Sequence, residues 1–428
     1  MNKQTKKGID MQDFSLHTTD NLFSDDIRKL IFRLILSEEK FSQAEISRQL
    51  GLSRATVSLM VNELKAKGLV VEKKIGESSN KGGRKPFILG INQERFHIIG
   101  IWLEGLDIDV YLLNLEGKVL QHLQYSLKSQ TSGSMEKPLI DVIVTSIRKM
   151  QSHLSSLRPE GHILATSIVM GARINPFSGE ILYARGWNLK NFPLGKTVSQ
   201  QTGFPVYIED YPAAYALKEY WFGSAKGNRN FLFLTVLPFL RAILVLDGRI
   251  YYGAHFLAGQ IGGSLGKIGG KTQEYLCNLI DHDIFNLPCM RPKNHDSGAR
   301  KKKNMHLIQD VDNFIGRLKK NNNLASKIQQ LSSIIGQIVV NTIFYYDPSL
   351  IIFDGISEKY QSIFVKNIQK ELKRFLFPGL PEPVSLCFHR KTEKDRILGI
   401  LCMTFDRLLK IENQYFFKKG HLQQGGKK

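Results

Sequence analysis

Ser42, Gly51, Ser53 and Gly68 punctuate one stretch of this chain so tightly that little other than a pair of short helices fits between them. Ser42-Gln-Ala-Glu45 is a capping box: the serine hydroxyl and the glutamate carboxylate each satisfy an otherwise free N–H at a helix start, and Phe41 can staple onto Ile46. A helix over 43–50 follows. Gly51 ends it and Ser53 caps the next helix, whose inward face is Leu52, Val57, Val61 and Leu64 until Gly68 stops it. Upstream, Ile27, Leu30, Ile31, Leu34 and Ile35 recur as one face of a further helix. After Gly68 come apolar Leu69-Val70-Val71, a polar segment, Gly82-Gly83-Arg84-Lys85-Pro86, and apolar Phe87-Ile88-Leu89. The reading is a trihelical core followed by a two-stranded wing over residues 25–92, with residues 1–24 as a flexible arm.

When two helices meet at a tight turn of this kind, the second enters the major groove of DNA, so its outward side chains are expected to be small, polar or basic. Here they are Arg54, Ala55, Thr56, Ser58 and Asn62. Arginine can be bidentate to guanine and asparagine to adenine, while serine and threonine mostly hold phosphates, so Ser53, Arg54, Thr56, Ser58 and Asn62 are the candidate DNA contacts. On an isolated helix the same residues would be a solvated face. The coincidence of cap, turn, helix length and basic wing favours a double-stranded DNA operator as partner. Arg84 and Lys85, flanked by Gly and Pro, either belong to a domain linker or are presented on extended backbone to a minor groove. The charge agrees: 59 Lys and Arg against 39 Asp and Glu leave +20 over 428 residues, which suits a polyanion.

The length exceeds one hydrophobic core, so further units are expected. From His97 the chain turns β-rich, and then apolar strands (Ile163–Met170, Val206–Ile208, Phe231–Val236, Ala242–Leu246, Leu350–Phe353) alternate with helical stretches. Those helices are expected over Leu139–Leu157, Ala213–Phe222, about Leu324–Tyr345 and near Lys394–Lys410. The fold class is therefore α/β. Asn286–Asn304 reads as an exposed loop, and residues 416–428 as a disordered basic tail. No run is long and apolar enough for a membrane span, and the polar start has no leader-like core, so the expected location is the cytoplasm. Cys277, Cys289, Cys387 and Cys402 form no C-x-x-C pair and are expected to be buried free thiols.

Several segments carry a family resemblance: "SQAEISRQLGLSRATVSLMVNELKAKGLV" followed by "GGRKP", then "VMGARINPFSGEILYARGWNLKNFPL", "PVYIEDYPAAYALKE", "DGRIYYGAHFLAGQIGG" and "YYDPSLIIFDG". They resemble, in order and spacing, the ROK family of repressors, open reading frames and kinases, and within it the regulators of the xylose-operon type. The resemblance implies a two-lobed actin-like sugar-kinase domain over residues 96–415, usually oligomeric, as a homodimer or homotetramer. In such regulators a sugar or sugar phosphate alters operator affinity.

The departures from the family pattern speak against phosphotransfer. The Asp-x-Gly-type phosphate turn of the kinases corresponds here to Gly100-Ile-Trp102-Leu-Glu104-Gly105-Leu106. Leu237-Pro238-Phe239-Leu240-Arg241 replaces a second, Gly-rich phosphate loop, and the adenosine-side Gly pair is Asp354-Gly355. The family's zinc site wants a His where Gly263 stands and cysteines before Cys277, so no metal and no cofactor is expected. Gly270-Lys271-Thr272 imitates the end of a Walker A loop, but Leu265 stands where its first Gly is required.

The sugar site is partly kept. The kinase base corresponds to Asp210, which either accepts a sugar hydroxyl or caps the following helix. Glu209 replaces a family Asn, Pro212 another, and Gln260 a sugar-binding Glu; a further contact aligns with Gln273 or Glu274. The expected function is a sequence-specific regulator of carbohydrate genes and not an enzyme. Its rivals are a sensor domain kept only for oligomerisation or protein contact, and a kinase with an added DNA-binding domain.

Overall fold

A computed structural model of the chain describes residues 26–37, 41–75, 87–127, 134–236, 240–266, 274–275, 324–375 and 384–409. They fall into two compact units, divided at Glu209/Asp210 and again at Arg396/Ile397.

The first unit opens with three helices, α1 (Asp26–Ser37), α2 (Gln43–Leu50) and α3 (Arg54–Ala66), and a wing of antiparallel strands β1 (Val70–Ile75) and β2 (Phe87–Ile91). The capping box forms as expected: Ser42 N–H donates to Glu45 Oε2 at 2.7 Å and Glu45 N–H to Ser42 Oγ at 3.4 Å. Gly51 ends α2 at φ 66°, a left-handed conformation that costs glycine nothing. Ile31, Ile35, Ile46, Val57, Val61 and Leu64 are buried between the helices, each such side chain contributing about 1.5 to 3 kcal/mol of transfer free energy. Leu89 N–H donates to Phe41 O at 2.9 Å, which fastens the wing to the chain entering α2.

The same unit holds a five-stranded sheet ordered β10-β6-β3-β4-β5. Its strands are β3 (Phe96–Glu104), β4 (Asp107–Asn114), β5 (Val119–Ser126), β6 (His162–Met170) and β10 (Val206–Glu209). β3, β4 and β5 form an antiparallel meander; β6 and β10 add in parallel. Helix α4 (Glu136–Leu157) and helix α5 (Leu194–Thr202) connect these strands, with a small antiparallel sheet of β7 (Arg173–Asn175), β8 (Glu180–Ala184) and β9 (Leu189–Phe192) inserted before α5.

The second unit repeats this plan. Its sheet, ordered β13-β12-β11-β16-β17, joins β11 (Phe231–Thr235), β12 (Arg241–Leu246) and β13 (Arg249–Ile250) antiparallel, then β16 (Leu350–Asp354) and β17 (Ser385–Phe388) in parallel. A short pair, β14 (Leu265–Gly266) with β15 (Glu274–Tyr275), lies in the connection. Helices α6 (Tyr211–Phe222), α7 (Leu324–Tyr346) and α8 (Glu358–Phe375) belong to this unit, and α9 (Glu393–Leu409) crosses the chain division at Ile397. α5, α8, β17 and the inserted sheet are additions to what the sequence suggested. The strands among them are three to five residues long, too short for an alternation to register. In α8, Phe364, Ile368 and Leu372 do recur at helical spacing.

Within the second unit, α6 is tied to the end of β17 by a buried ionic network. Glu219 accepts from His389 Nδ1 and from Lys218 Nζ, at 2.8 and 2.9 Å, and from Ser224 N–H at 2.7 Å, while Lys218 also reaches Asp395 at 2.7 Å. Burial opposes the Glu219 charge, but these donors outweigh it and bring the carboxyl from its ordinary 4.5 down to about 2. Of the cysteines expected as buried thiols, Cys402 is buried and Cys387 half-buried, neither joined in a disulfide; Cys277 and Cys289, like the loop Asn286–Asn304, lie outside the described residues. Among the described residues no helix is long and apolar enough to cross a membrane.

Candidate DNA interface and sensor site

Helix α3 carries the DNA-facing candidates, and its packing decides which way each points. Because Val57, Val61 and Leu64 are buried, the opposite face of a 3.6-residue helix falls to Ala55, Leu59, Asn62 and Ala66. Arg54, Ala55 and Asn62 are exposed and Ser58 is half-buried beside them. Ser53 and Thr56 do more than face outward. Ser53 Oγ accepts from Thr56 N–H at 3.0 Å and lies 2.8 Å from Thr56 Oγ1, so the pair forms the N-terminal cap and holds the start of α3 in place. Arg54 and Asn62 make no side-chain hydrogen bond or ion pair among the described residues, which leaves their long or amide-tipped side chains able to meet base edges. Ser47 Oγ donates to Leu52 O at 2.7 Å across the turn, setting the angle between α2 and α3. On the inner side Arg28 of α1 pairs with Glu63 of α3. Arg84 and Lys85 lie outside the described residues.

One residue of this face was not singled out from sequence. Leu59 is 56 % exposed in the middle of α3, flanked by Ala55 and Asn62, and an apolar side chain there suits contact with a thymine methyl group. The signal was present, since the inward positions put Leu59 outward. Leu59→Ala is expected to lower affinity for an operator with thymine at the facing position by about 1 kcal/mol, and to leave affinity unchanged when that thymine is replaced by uracil, which lacks the methyl group. A binding titration on the two DNAs checks it.

The three sensor candidates fall in both units. Glu209 ends β10 in the first unit, is 2 % exposed, and meets Arg407 Nη2 at 3.1 Å through its Oε2. Asp210 opens the second unit at the N-cap position of α6, but its side chain makes no capping hydrogen bond. Its Oδ2 lies 2.9 Å from Arg241 Nε instead, so the cap reading gives way to an ion pair. Gln260 sits at the start of a short 3₁₀ turn, Ile261–Gly263. Two backbone bonds fix that turn on either side of Arg241: Ala242 N–H to Gly259 O at 2.8 Å and Gly262 N–H to Leu240 O at 3.0 Å. The approach depends on Gly259, at φ 74°, where a Cβ would fall 1.8 Å from Ala242 O. Asp210, Arg241 and the Gln260 loop are thus assembled around the first residues of β12. Arg241 and Arg407 were not found from sequence because nothing local marks an arginine that pairs with a carboxylate 31 or 198 positions away.

Two of the stretches that the resemblance sets against the kinase pattern, Gly100–Leu106 and Asp354-Gly355, are among the described residues. The β3–β4 hairpin closes with Glu104 opposite Asp107, so its turn carries two carboxylates, and Trp102 is buried at 1 % exposure. Asp354, which ends β16, is 1 % exposed and accepts from Thr235 Oγ1 at 3.2 Å and Lys391 Nζ at 3.0 Å. Leu237–Phe239, Gln273 and the cysteine-free stretch before Cys277 lie outside the described residues, apart from Glu274 and Tyr275 in β15.

Comparison with known proteins agrees with this architecture. Residues 98–277 match the ROK family, and residues 24–71 match a winged helix-turn-helix DNA-binding family. A xylose repressor from Caldicellulosiruptor bescii is 34 % identical over 235 residues, which cover 54 % of this chain and 57 % of that protein. A xylose repressor from Bacillus spizizenii is 24 % identical over 389 residues, 90 % of this chain and 96 % of the relative. The Escherichia coli regulator NagC is 26 % identical over 232 residues, 54 % of this chain and 55 % of the relative. Among solved structures, a ROK-family transcriptional regulator, a homologue of E. coli MLC, superposes with a TM-score of 0.68 at 20 % identity, over 90 % of this chain and 99 % of that one. A ROK hexokinase from Thermus thermophilus superposes with a TM-score of 0.52 at 18 % identity, over 72 % of this chain and 97 % of that one. At these identities the two likenesses show a shared fold alone.

Proposed function

We propose that this chain, which carries a ROK-family domain behind an N-terminal winged helix-turn-helix, is a sequence-specific DNA-binding repressor of sugar-utilisation genes that responds to a sugar or sugar phosphate and performs no phosphotransfer. The observation that carries the reading is the exposed face of α3, where Arg54 and Asn62 stand on a helix whose start is pinned by the Ser53–Thr56 cap. A base-reading helix needs such rigidity, because each bidentate contact is lost when the side chain's origin moves by about 1 Å. Assembly as a homodimer or homotetramer, with half-sites about one helical turn apart, follows from how such motifs grip DNA. Arg84 and Lys85 are proposed to reach an adjacent groove. Full-length protein incubated with sheared genomic DNA is expected to retain fragments adjoining sugar-use genes. Equal affinity for random DNA overturns the proposal.

The effector reading rests on Glu209, Asp210 and Gln260. One observation favours a second reading, in which the sensor domain serves only assembly: Glu209 and Asp210 are each already matched by an arginine of the chain itself. Asp210→Asn decides between them. It keeps the size of the side chain and loses its charge, and a hydrogen bond to a charged carboxylate is worth about 1.5 to 3 kcal/mol. Calorimetry against D-xylose, N-acetylglucosamine and their phosphates is expected to find a ligand for the wild type, and a tenfold or greater weakening in the variant. No heat with any of them favours the assembly reading.

A further inference from the structure

We propose that Arg407 belongs to the effector site and that α9, which bears it, passes the state of that site to the winged helix. The inference rests on the sugar-responsive repressor reading of the preceding section and supplies the contact by which that response reaches DNA.

Arg407 lies between two unlike surfaces. Its guanidinium meets the buried Glu209 carboxylate at 3.1 Å, and its Cζ stands 5.2 Å from the ring centre of Phe177, which is 72 % exposed in the turn between β7 and β8. A carboxylate offers about four acceptor sites and a guanidinium five donors in a fixed plane. A polyol whose hydroxyls arrive at Glu209 must share that carboxylate with Arg407 or displace it, so occupation of the site acts directly on the arginine. Phe177, a solvent-facing ring against the same guanidinium, offers an apolar face to the C–H side of a sugar.

The remainder of α9 within the first unit is clamped on two faces. On one, Ile400 and Thr404 lie with Arg407, within about 60° around a helix of 3.6 residues per turn. Thr404 Oγ1 is 2.6 Å from Ser167 Oγ of β6, both buried, and a Cβ added at Gly100 of β3 would meet Ile400 at 2.8 Å. On the opposite face, about 200° from Arg407, the Phe405 ring packs edge-on against Phe32 of α1, with centroids 5.9 Å apart. Both rings are at most 1 % exposed. A single residue, Asp406, therefore separates the side chain that meets Glu209 from the one that packs on α1. From α1 the contact continues to α3 through the Arg28–Glu63 ion pair, and Glu63 adjoins Asn62. A close-packed helix in this position shifts as a body, because packed interiors do not deform continuously.

The test uses the full chain without any sugar. Glu209→Gln, which preserves shape, and Arg407→Lys, which preserves charge, are compared with the wild type in operator affinity and in amide hydrogen exchange of residues 26–37. Glu209→Gln is expected to change operator affinity at least fivefold, the lower end of typical coupling between sites, with Arg407→Lys intermediate and with altered exchange in α1. In a Phe405→Leu background the Glu209→Gln effect should shrink below twofold. Wild-type affinity and exchange in both single variants, or an undiminished Glu209→Gln effect in the Phe405→Leu background, overturns the inference. If Glu209→Gln melts below the assay temperature, Arg407→Lys carries the comparison. Should the wild type bind no operator at all, the repressor reading fails, while exchange in α1 still reports whether the coupling exists.

Discussion

Replacing Glu219 by glutamine is expected to lower the unfolding free energy of the second unit by about 3 kcal/mol at neutral pH. The carboxyl falls from its ordinary 4.5 to about 2 in the folded protein, and each pH unit of such a difference corresponds to about 1.36 kcal/mol. Removing the charge also leaves Lys218 with Asp395 as its remaining carboxylate among the described residues and sets a neutral amide against the wholly buried His389 side chain. The pH dependence follows from the sign of the shift. A depressed carboxyl stabilises the fold wherever it is ionised in both states, above about 4.5, and that contribution fades as the pH falls towards 2. Urea titrations at a series of pH values should therefore show the wild type losing stability over this window, with a shallower slope in the variant. A Glu219→Gln protein as stable as the wild type at pH 7, with the same acid slope, would mean that the network is solvated and contributes nothing to the fold.

The double substitution Arg54→Ala, Asn62→Ala is expected to cost about 2 to 6 kcal/mol in operator affinity, roughly 30-fold or more, and to leave binding to random DNA almost unaltered. Each good base contact discriminates by about 1 to 3 kcal/mol, and the two positions stand two turns apart on α3, far enough for their effects to add. Non-specific binding depends on phosphate neutralisation, so losing one of the 59 basic residues changes it little. Neither side chain is engaged with another part of the described fold, and the melting temperature should hold. Parallel titrations on operator and random DNA at one salt concentration provide the check. Equal weakening on both DNAs would place Arg54 and Asn62 on phosphates and move base recognition elsewhere.

What could be read from the sequence about this protein was local in origin. The capping box at Ser42–Glu45, the left-handed Gly51 and the Ser53 cap are each decided by residues within five positions of one another, and the structure forms all three. The inward face of α3 and the apolar strands of both sheets followed from periodicity, because burial of one face selects the spacing. The departures at Gly100–Leu106 and Leu237–Arg241 from the kinase pattern, on which the proposal of no phosphotransfer rests, are legible for the same reason, as substitutions within short motifs. Tertiary structure alone decided the rest. No sequence repeat announces that both units build their sheets in one order, since strand order is a property of pairing across long separations. Whether Asp210 caps α6 or pairs with Arg241 depended on where β12 places an arginine 31 residues away. Glu209 acquired Arg407 from the far end of the chain, and Phe32 acquired Phe405 in the same way. A side chain's chemistry is written in its residue type, but the partner that neutralises, orients or buries it is chosen by packing between segments that the sequence leaves hundreds of residues apart.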